Sequence, residues 1–164
     1  MDKKFWKDVP IIVLNSYSAW IRPGMDVTLK KDLPNLSIFK QENGKEGGHF
    51  RKFYIDKSKK EANLSVGRFT EKEIEEIFNK IEKSGFWQMP EYLPSEVEDG
   101  GYREIFVNYY WLEGKTKKVI YHVGTPDDEM TVNFMKLFDE IASLANAKPQ
   151  TDINLRSILL DHKQ

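Results

Sequence analysis

One stretch constrains the fold more than any other: Tyr102 to Gly124, YREIFVNYYWLEGKTKKVIYHVG. Ile105 to Leu112 and Val119 to Val123 are rich in β-branched and aromatic residues, which suit a pleated, half-buried surface. Gly114 between them supplies a positive φ at no steric cost, so the stretch predicts a β-hairpin. Two loops compete. A two-residue loop, Glu113-Gly114, pairs odd positions with even ones and sets Ile105, Val107, Tyr109 and Trp111 beside Thr116, Lys118, Ile120 and His122. A three-residue loop, Leu112 to Gly114, pairs odd with odd and gathers Ile105, Val107, Tyr109, Val119, Tyr121 and Val123 on one far more apolar face. Register is enforced where one face is buried, so the second arrangement is expected. It sets Glu104 opposite His122, Phe106 opposite Ile120 and Trp111 opposite Lys115, and leaves Glu104, Phe106, Tyr110, Ile120 and His122 on the other face.

The rest of the chain supplies partners for this hairpin. Ile11 to Leu14 and Leu36 to Lys40 read as strands, with a further short strand at Asp26 to Leu29. Phe50 to Asp56 and Ala62 to Val66 form a second hairpin. Thr70-Glu71-Lys72-Glu73 is a capping box, followed by Ile74, Ile77, Phe78 and Ile81 on one helical face. Glu76 and Lys80 have the spacing of a helical ion pair. Gly85 is the expected left-handed stop. A second helix is expected from Thr125-Pro126-Asp127-Asp128, with Thr125 as its cap. Its stripe is Met130, Phe134, Leu137, Phe138, Ile141, Leu144 and Ala145, and it ends near Asn146, before Pro149. From Thr151 the tail reads as a short C-terminal helix, capped by Asp152, with Leu155, Ile158 and Leu159 as its apolar side.

These elements predict a single α+β domain over 1–164. It has an antiparallel sheet of about six strands, with two main helices packed mostly on one face. Each hairpin leads into Val-Gly and then a helix, an echo that suggests two ββα units. The layout of a helix ending in Gly-Phe, an Asp-Gly turn, a strand pair and a closing helix resembles that of small bacterial α+β proteins, a likeness of arrangement that names no family.

Composition narrows the chemistry. There are 25 Lys and Arg against 26 Asp and Glu, so no basic excess points to nucleic acid. There are no cysteines, which removes thiol catalysis, disulfides and thiolate-bound metals. The apolar run Val9 to Leu14 is short and broken by Pro10, so neither a signal-peptide core nor a membrane span is expected. The chain reads as cytoplasmic, or as exported if a leader preceded it. The acidic stretch around Glu96, Glu98 and Asp99 lacks the ligand register of a calcium loop, and Gly47-Gly48 beside His49 lacks a Walker-type pattern. No metal and no cofactor is expected.

The histidines, His49, His122 and His162, lack metal-ligand spacing. The best acid–base pair is His122 with Glu104, a weak catalytic candidate. The leading expectation is a non-catalytic protein- or ligand-binding module, with an accessory or toxin-neutralising inhibitor as one form of it. Its contact residues would be Phe106, Tyr110, Ile120 and His122, aromatic residues in a polar rim being what binding hot spots favour. Its partner would be another protein or a second copy. The alternative is a small hydrolase with His122 or His49 as general base.

Overall fold

The computed structural model describes residues 9–17, 35–40, 47–56, 61–95, 101–109, 115–122 and 128–154. The strands are β1 (Ile12–Tyr17), β2 (Leu36–Lys40), β3 (Gly48–Asp56), β4 (Glu61–Phe69), β5 (Tyr102–Tyr109), β6 (Lys115–His122) and β7 (Thr151–Asn154). The helices are α1 (Glu71–Lys83), continued by a single 3-10 turn at Phe86–Gln88, and α2 (Glu129–Asn146). All seven strands form one antiparallel sheet in the order β6-β5-β1-β2-β3-β4-β7. The fold is α+β, and β3-β4-α1 and β5-β6-α2 stand as two ββα units on either side of the central β1-β2 pair.

Side-chain alternation explains why the layers form. On β1, Ile12 and Leu14 point one way and are fully buried. The register carries that face through Ile38 and Phe50 on one side and through Ile105, Val107, Val119 and Tyr121 on the other. Both helices lie over it. Ile74, Ile77 and Ile81 of α1 and Phe134, Leu137, Phe138, Ile141 and Ala145 of α2 join these strand residues in one core. Tyr121 meets Phe134 edge-on at 6.1 Å. Each large apolar side chain buried here stabilises the fold by about 1.5–3 kcal/mol, so this layer is what holds the molecule together.

Local signals set the helix ends. Thr70 Oγ1 accepts the Glu73 N–H at 3.2 Å while Glu73 Oε1 accepts the Thr70 N–H at 2.9 Å, the reciprocal box that the sequence predicts. Gly85 takes φ 78°, and the chain turns there to bury Phe86. Gly67 answers a different demand. It is the cross-strand partner of Phe50, and a Cβ at Gly67 would lie 2.3 Å from that ring. The missing side chain is what lets Phe50 lie flat across β4.

Four expectations are corrected. The tail residues 151–154 are not helical: they form β7 against β4, because β4 offers an unpaired edge and Ser65 donates its hydroxyl hydrogen to Asp152; Leu155, Ile158 and Leu159 lie outside the described residues. The cap of α2 is Asp128, whose Oδ1 accepts the Thr131 N–H at 2.8 Å, so the helix starts after the position expected from Thr125. Met130 is exposed and Thr131 is buried in its place. Lys80 reaches across to Glu140 of α2 at 3.4 Å, where Glu76 was the expected partner. The strand expected at Asp26 to Leu29 lies outside the described residues.

The hairpin register also differs. Odd residues do pair with odd ones, and Ile105, Val107, Val119 and Tyr121 are the buried face. The strands, however, are offset by two from the tight three-residue loop. Tyr109 pairs with Lys115, Glu104 with Ile120 and Tyr102 with His122. A slip of two keeps every side chain on its face, so the hydrophobic pattern cannot choose between the two. Packing chooses. Val107 faces Lys117, whose ammonium donates to the Trp87 carbonyl at 2.6 Å and lies 6.0 Å from the Phe86 ring.

Candidate functional site

Both helices pack on one face of the sheet, and every candidate residue that the sequence singled out on the hairpin belongs to the second face or lies outside the described residues; at its centre that second face is itself buried, through Val13, Asn15, Ser37 and Phe39. Glu104 and Phe106 come from β5 and Ile120 and His122 from β6; Tyr110 lies outside the described residues. Their rows continue across β1, where Asn15 pairs with Glu104 and Val13 with Phe106.

The offset register changes which of them meet. His122 lies beside Tyr102, ring centroids 5.8 Å apart. Glu104 is one pair further along, opposite Ile120. The expected direct pairing of Glu104 with His122 is therefore replaced by a diagonal one. Glu104 instead accepts a long hydrogen bond from the Asn15 side-chain amide, Nδ2 to Oε1 3.5 Å. Asn15 is buried, and its Oδ1 accepts the Asn35 N–H at 3.2 Å. Burial, and then the negative charge of Glu104, push the Tyr102 hydroxyl above its ordinary pKa. The group formed by Asn15, Tyr102, Glu104 and His122 can exchange hydrogen bonds with a polar ligand.

The apolar residues divide. Phe106 is half-buried and lines an open hollow of about 410 Å³ with Glu91, Thr116 and Lys118. Ile120 is only 9% exposed, and its backbone is engaged by the chain leaving α1. The Ile120 N–H donates to the Glu91 carbonyl at 2.7 Å and its carbonyl accepts the Leu93 N–H at 2.9 Å. That segment shields the outer edge of β6 and leaves Tyr92, the residue after Glu91, exposed. Tyr92 is a surface aromatic that sequence reasoning missed, because its role depends on where Glu91 to Leu93 docks.

Among the described residues, no three His, Asp or Glu side chains gather as metal ligands would. The acidic residues Glu96, Glu98 and Asp99 lie outside them. No helix among the described residues is long and apolar enough to cross a membrane. No protein-family model, curated protein or solved structure matches the chain.

Proposed function

We propose that this protein is a binding module whose contact surface is the β5–β6 end of the second sheet face, centred on the half-buried Phe106 and His122. The observation that carries the reading is the position of Phe106. Its strand neighbours Ile105 and Val107 are fully buried beneath the helices, while Phe106 projects to the opposite side and lines an open hollow. An aromatic side chain there, with Lys118 and Glu91 at its rim, has the composition of a binding hot spot. Ile120 supports that surface from below. A protein partner fits an open hollow better than an enclosed small-molecule pocket would. Neutralisation of another protein in the cytoplasm is the form of this role that suits a compact chain of nearly balanced charge.

The test is affinity capture with the full chain and with a Phe106→Ser variant, followed by a binding measurement on the purified captured protein. The variant should keep the circular dichroism of the parent and lose at least about tenfold in affinity, since truncating a hot-spot aromatic costs 2 kcal/mol or more as an order of magnitude. Equal binding by both chains would place the contact elsewhere.

A further inference from the structure

The outer edge of β6 is partly occupied by the protein's own chain. The Ile120 N–H donates to the Glu91 carbonyl at 2.7 Å, and the Ile120 carbonyl accepts the Leu93 N–H at 2.9 Å. Tyr92 thereby pairs with Ile120 as a residue of a parallel strand would. Upstream the chain leaves the edge, since the Met89 N–H is taken by the Phe86 carbonyl at 3.1 Å. Backbone groups alternate sides along a strand, so Ile120 fixes the sides for all of β6. Even-numbered residues turn their N–H and C=O outward, and odd-numbered ones turn them toward β5. The β5 side agrees: Asn108, the partner of Thr116, donates away from β6 to the Ile11 carbonyl at 2.8 Å. Thr116 and Lys118 therefore present two N–H donors and two carbonyls at the edge. Among the described residues no backbone group meets them.

The two sides of this edge differ in chemistry. Lys118 pairs with Phe106 across the hairpin, and both line the open hollow with Thr116 and Glu91. Lys117 lies on the opposite face, with Val107. Among the described residues its ammonium meets the Trp87 carbonyl at 2.6 Å and the Phe86 ring at 6.0 Å, both uncharged. Burial pushes that ammonium below the ordinary lysine value of 10.5. A strand laid along this edge would thus have an aromatic hollow on one side and a poorly solvated cation on the other.

We propose that the β6 edge at Thr116 and Lys118 takes up an extended segment of the protein partner as an added strand, one that alternates apolar and acidic side chains. This form of partner rests on the reading of the Phe106 hollow as the contact surface. An unpaired edge is a template for another strand, and main-chain hydrogen bonds supply the attraction. The edge already takes an extended segment one rung further on, at Ile120. Side chains of the added strand alternate between the two faces. Apolar ones would enter the hollow beside Phe106, and acidic ones would meet the Lys117 ammonium. Lysines on an edge repel strands that lack such charges, so the acidic residues also decide which segment is admitted.

The experiment is an NMR titration of the full chain with an acetylated, amidated heptapeptide that alternates aspartate and valine. The Thr116 and Lys118 amide protons should exchange with solvent at least about fivefold more slowly at saturation, the order of one backbone hydrogen bond. The same peptide N-methylated along its bonding edge should bind at least about fivefold more weakly. Lys118→Pro removes one outward N–H at a position where an edge strand tolerates proline, and should weaken binding to the same degree. Lys118→Gln keeps that N–H and should bind more tightly than Lys118→Pro. Unchanged exchange at Thr116 and Lys118, or equal binding of the methylated peptide, would overturn the proposal whether or not the proline variant folds. So would protection that needs no peptide and grows with protein concentration, which would assign the edge to a second copy. Loss of partner capture in Phe106→Ser with unprotected edge amides would overturn the added strand alone. Protected edge amides with full partner capture by Phe106→Ser would instead remove Phe106 from the contact.

Discussion

The Glu73 carboxylate accepts two hydrogen bonds from Lys148 Nζ, at 2.7 and 2.9 Å. Glu73 is the third residue of α1 and closes its capping box, while Lys148 follows the last turn of α2. One carboxylate thus joins the start of one helix to the end of the other. Its neighbour Glu71 does similar work on the sheet side, accepting from Lys40 Nζ at 2.6 Å and from the Gly47 N–H at 2.6 Å.

These contacts predict acid sensitivity. Glu71 is held below the ordinary carboxylate value of 4.5 first by the Lys40 hydrogen bond and then by the Gly47 N–H. At Glu73 burial acts upward, but the bonds from Lys148 and Thr70 together outweigh it, and the net direction is again down. Folded values below unfolded ones mean that this stabilisation is complete above about pH 4.5 and is lost as pH falls through the folded values. Urea midpoints measured from pH 6 to pH 3 should fall. The Glu71→Gln, Glu73→Gln double variant should show a shallower fall, the difference at neutral pH staying near 1 kcal/mol per partly exposed pair.

Capping itself is separable from the ion pair. Thr70→Ala removes the acceptor for the Glu73 N–H and leaves Lys148 in place. It should cost about 1 kcal/mol, read as a lower urea midpoint with unchanged slope. Thr70→Ser should recover most of it, because the hydroxyl is what the cap requires.

Gly67→Ala is expected to destabilise through sterics. The added methyl would overlap the Phe50 ring and approach the Pro149 carbonyl at 3.0 Å. Phe50 is fully buried and has little room to move. The expected cost is about 1–3 kcal/mol, as for overpacked cores, measured by thermal unfolding. A Phe50→Leu change in the same chain should relieve part of the clash, so the two effects should not add.

The register of the β5–β6 hairpin can be tested by cross-linking, helped by the absence of native cysteine. The pair Glu104→Cys with Ile120→Cys occupies facing positions and should form a disulfide on mild oxidation, since facing residues fall within the required Cα separation. The pair Glu104→Cys with His122→Cys, facing only in the tight-loop register, should remain mostly reduced. Mass spectrometry of the oxidised chains distinguishes the two.

Much of the fold was legible in the residues. Thr70 and Glu73 mark the start of α1, Gly85 marks its stop, and the odd-numbered apolar residues of the hairpin mark the buried face. Each of these is a local rule, satisfied within a few residues of chain. The site was less legible. Tyr110 and the strand expected at Asp26 to Leu29 lie outside the described residues. The partner of His122 and the exposure of Tyr92 depend on contacts between distant segments.

The sequence by itself determined the class of fold, the capping box of α1 and the faces of the strands, because periodicity and capping act over one or two turns of chain. Only the tertiary structure decided the offset of β6 on β5, the pairing of Thr151–Asn154 with β4, and the docking of Glu91 and Leu93 on Ile120. The physical reason is the same in each case. A shift of two residues, a choice between strand and helix for a short tail, and the path of a segment beyond a helix cost little in local conformation. They are settled by which distant side chains are there to be packed against, as Lys117 is against Phe86 and Ser65 against Asp152.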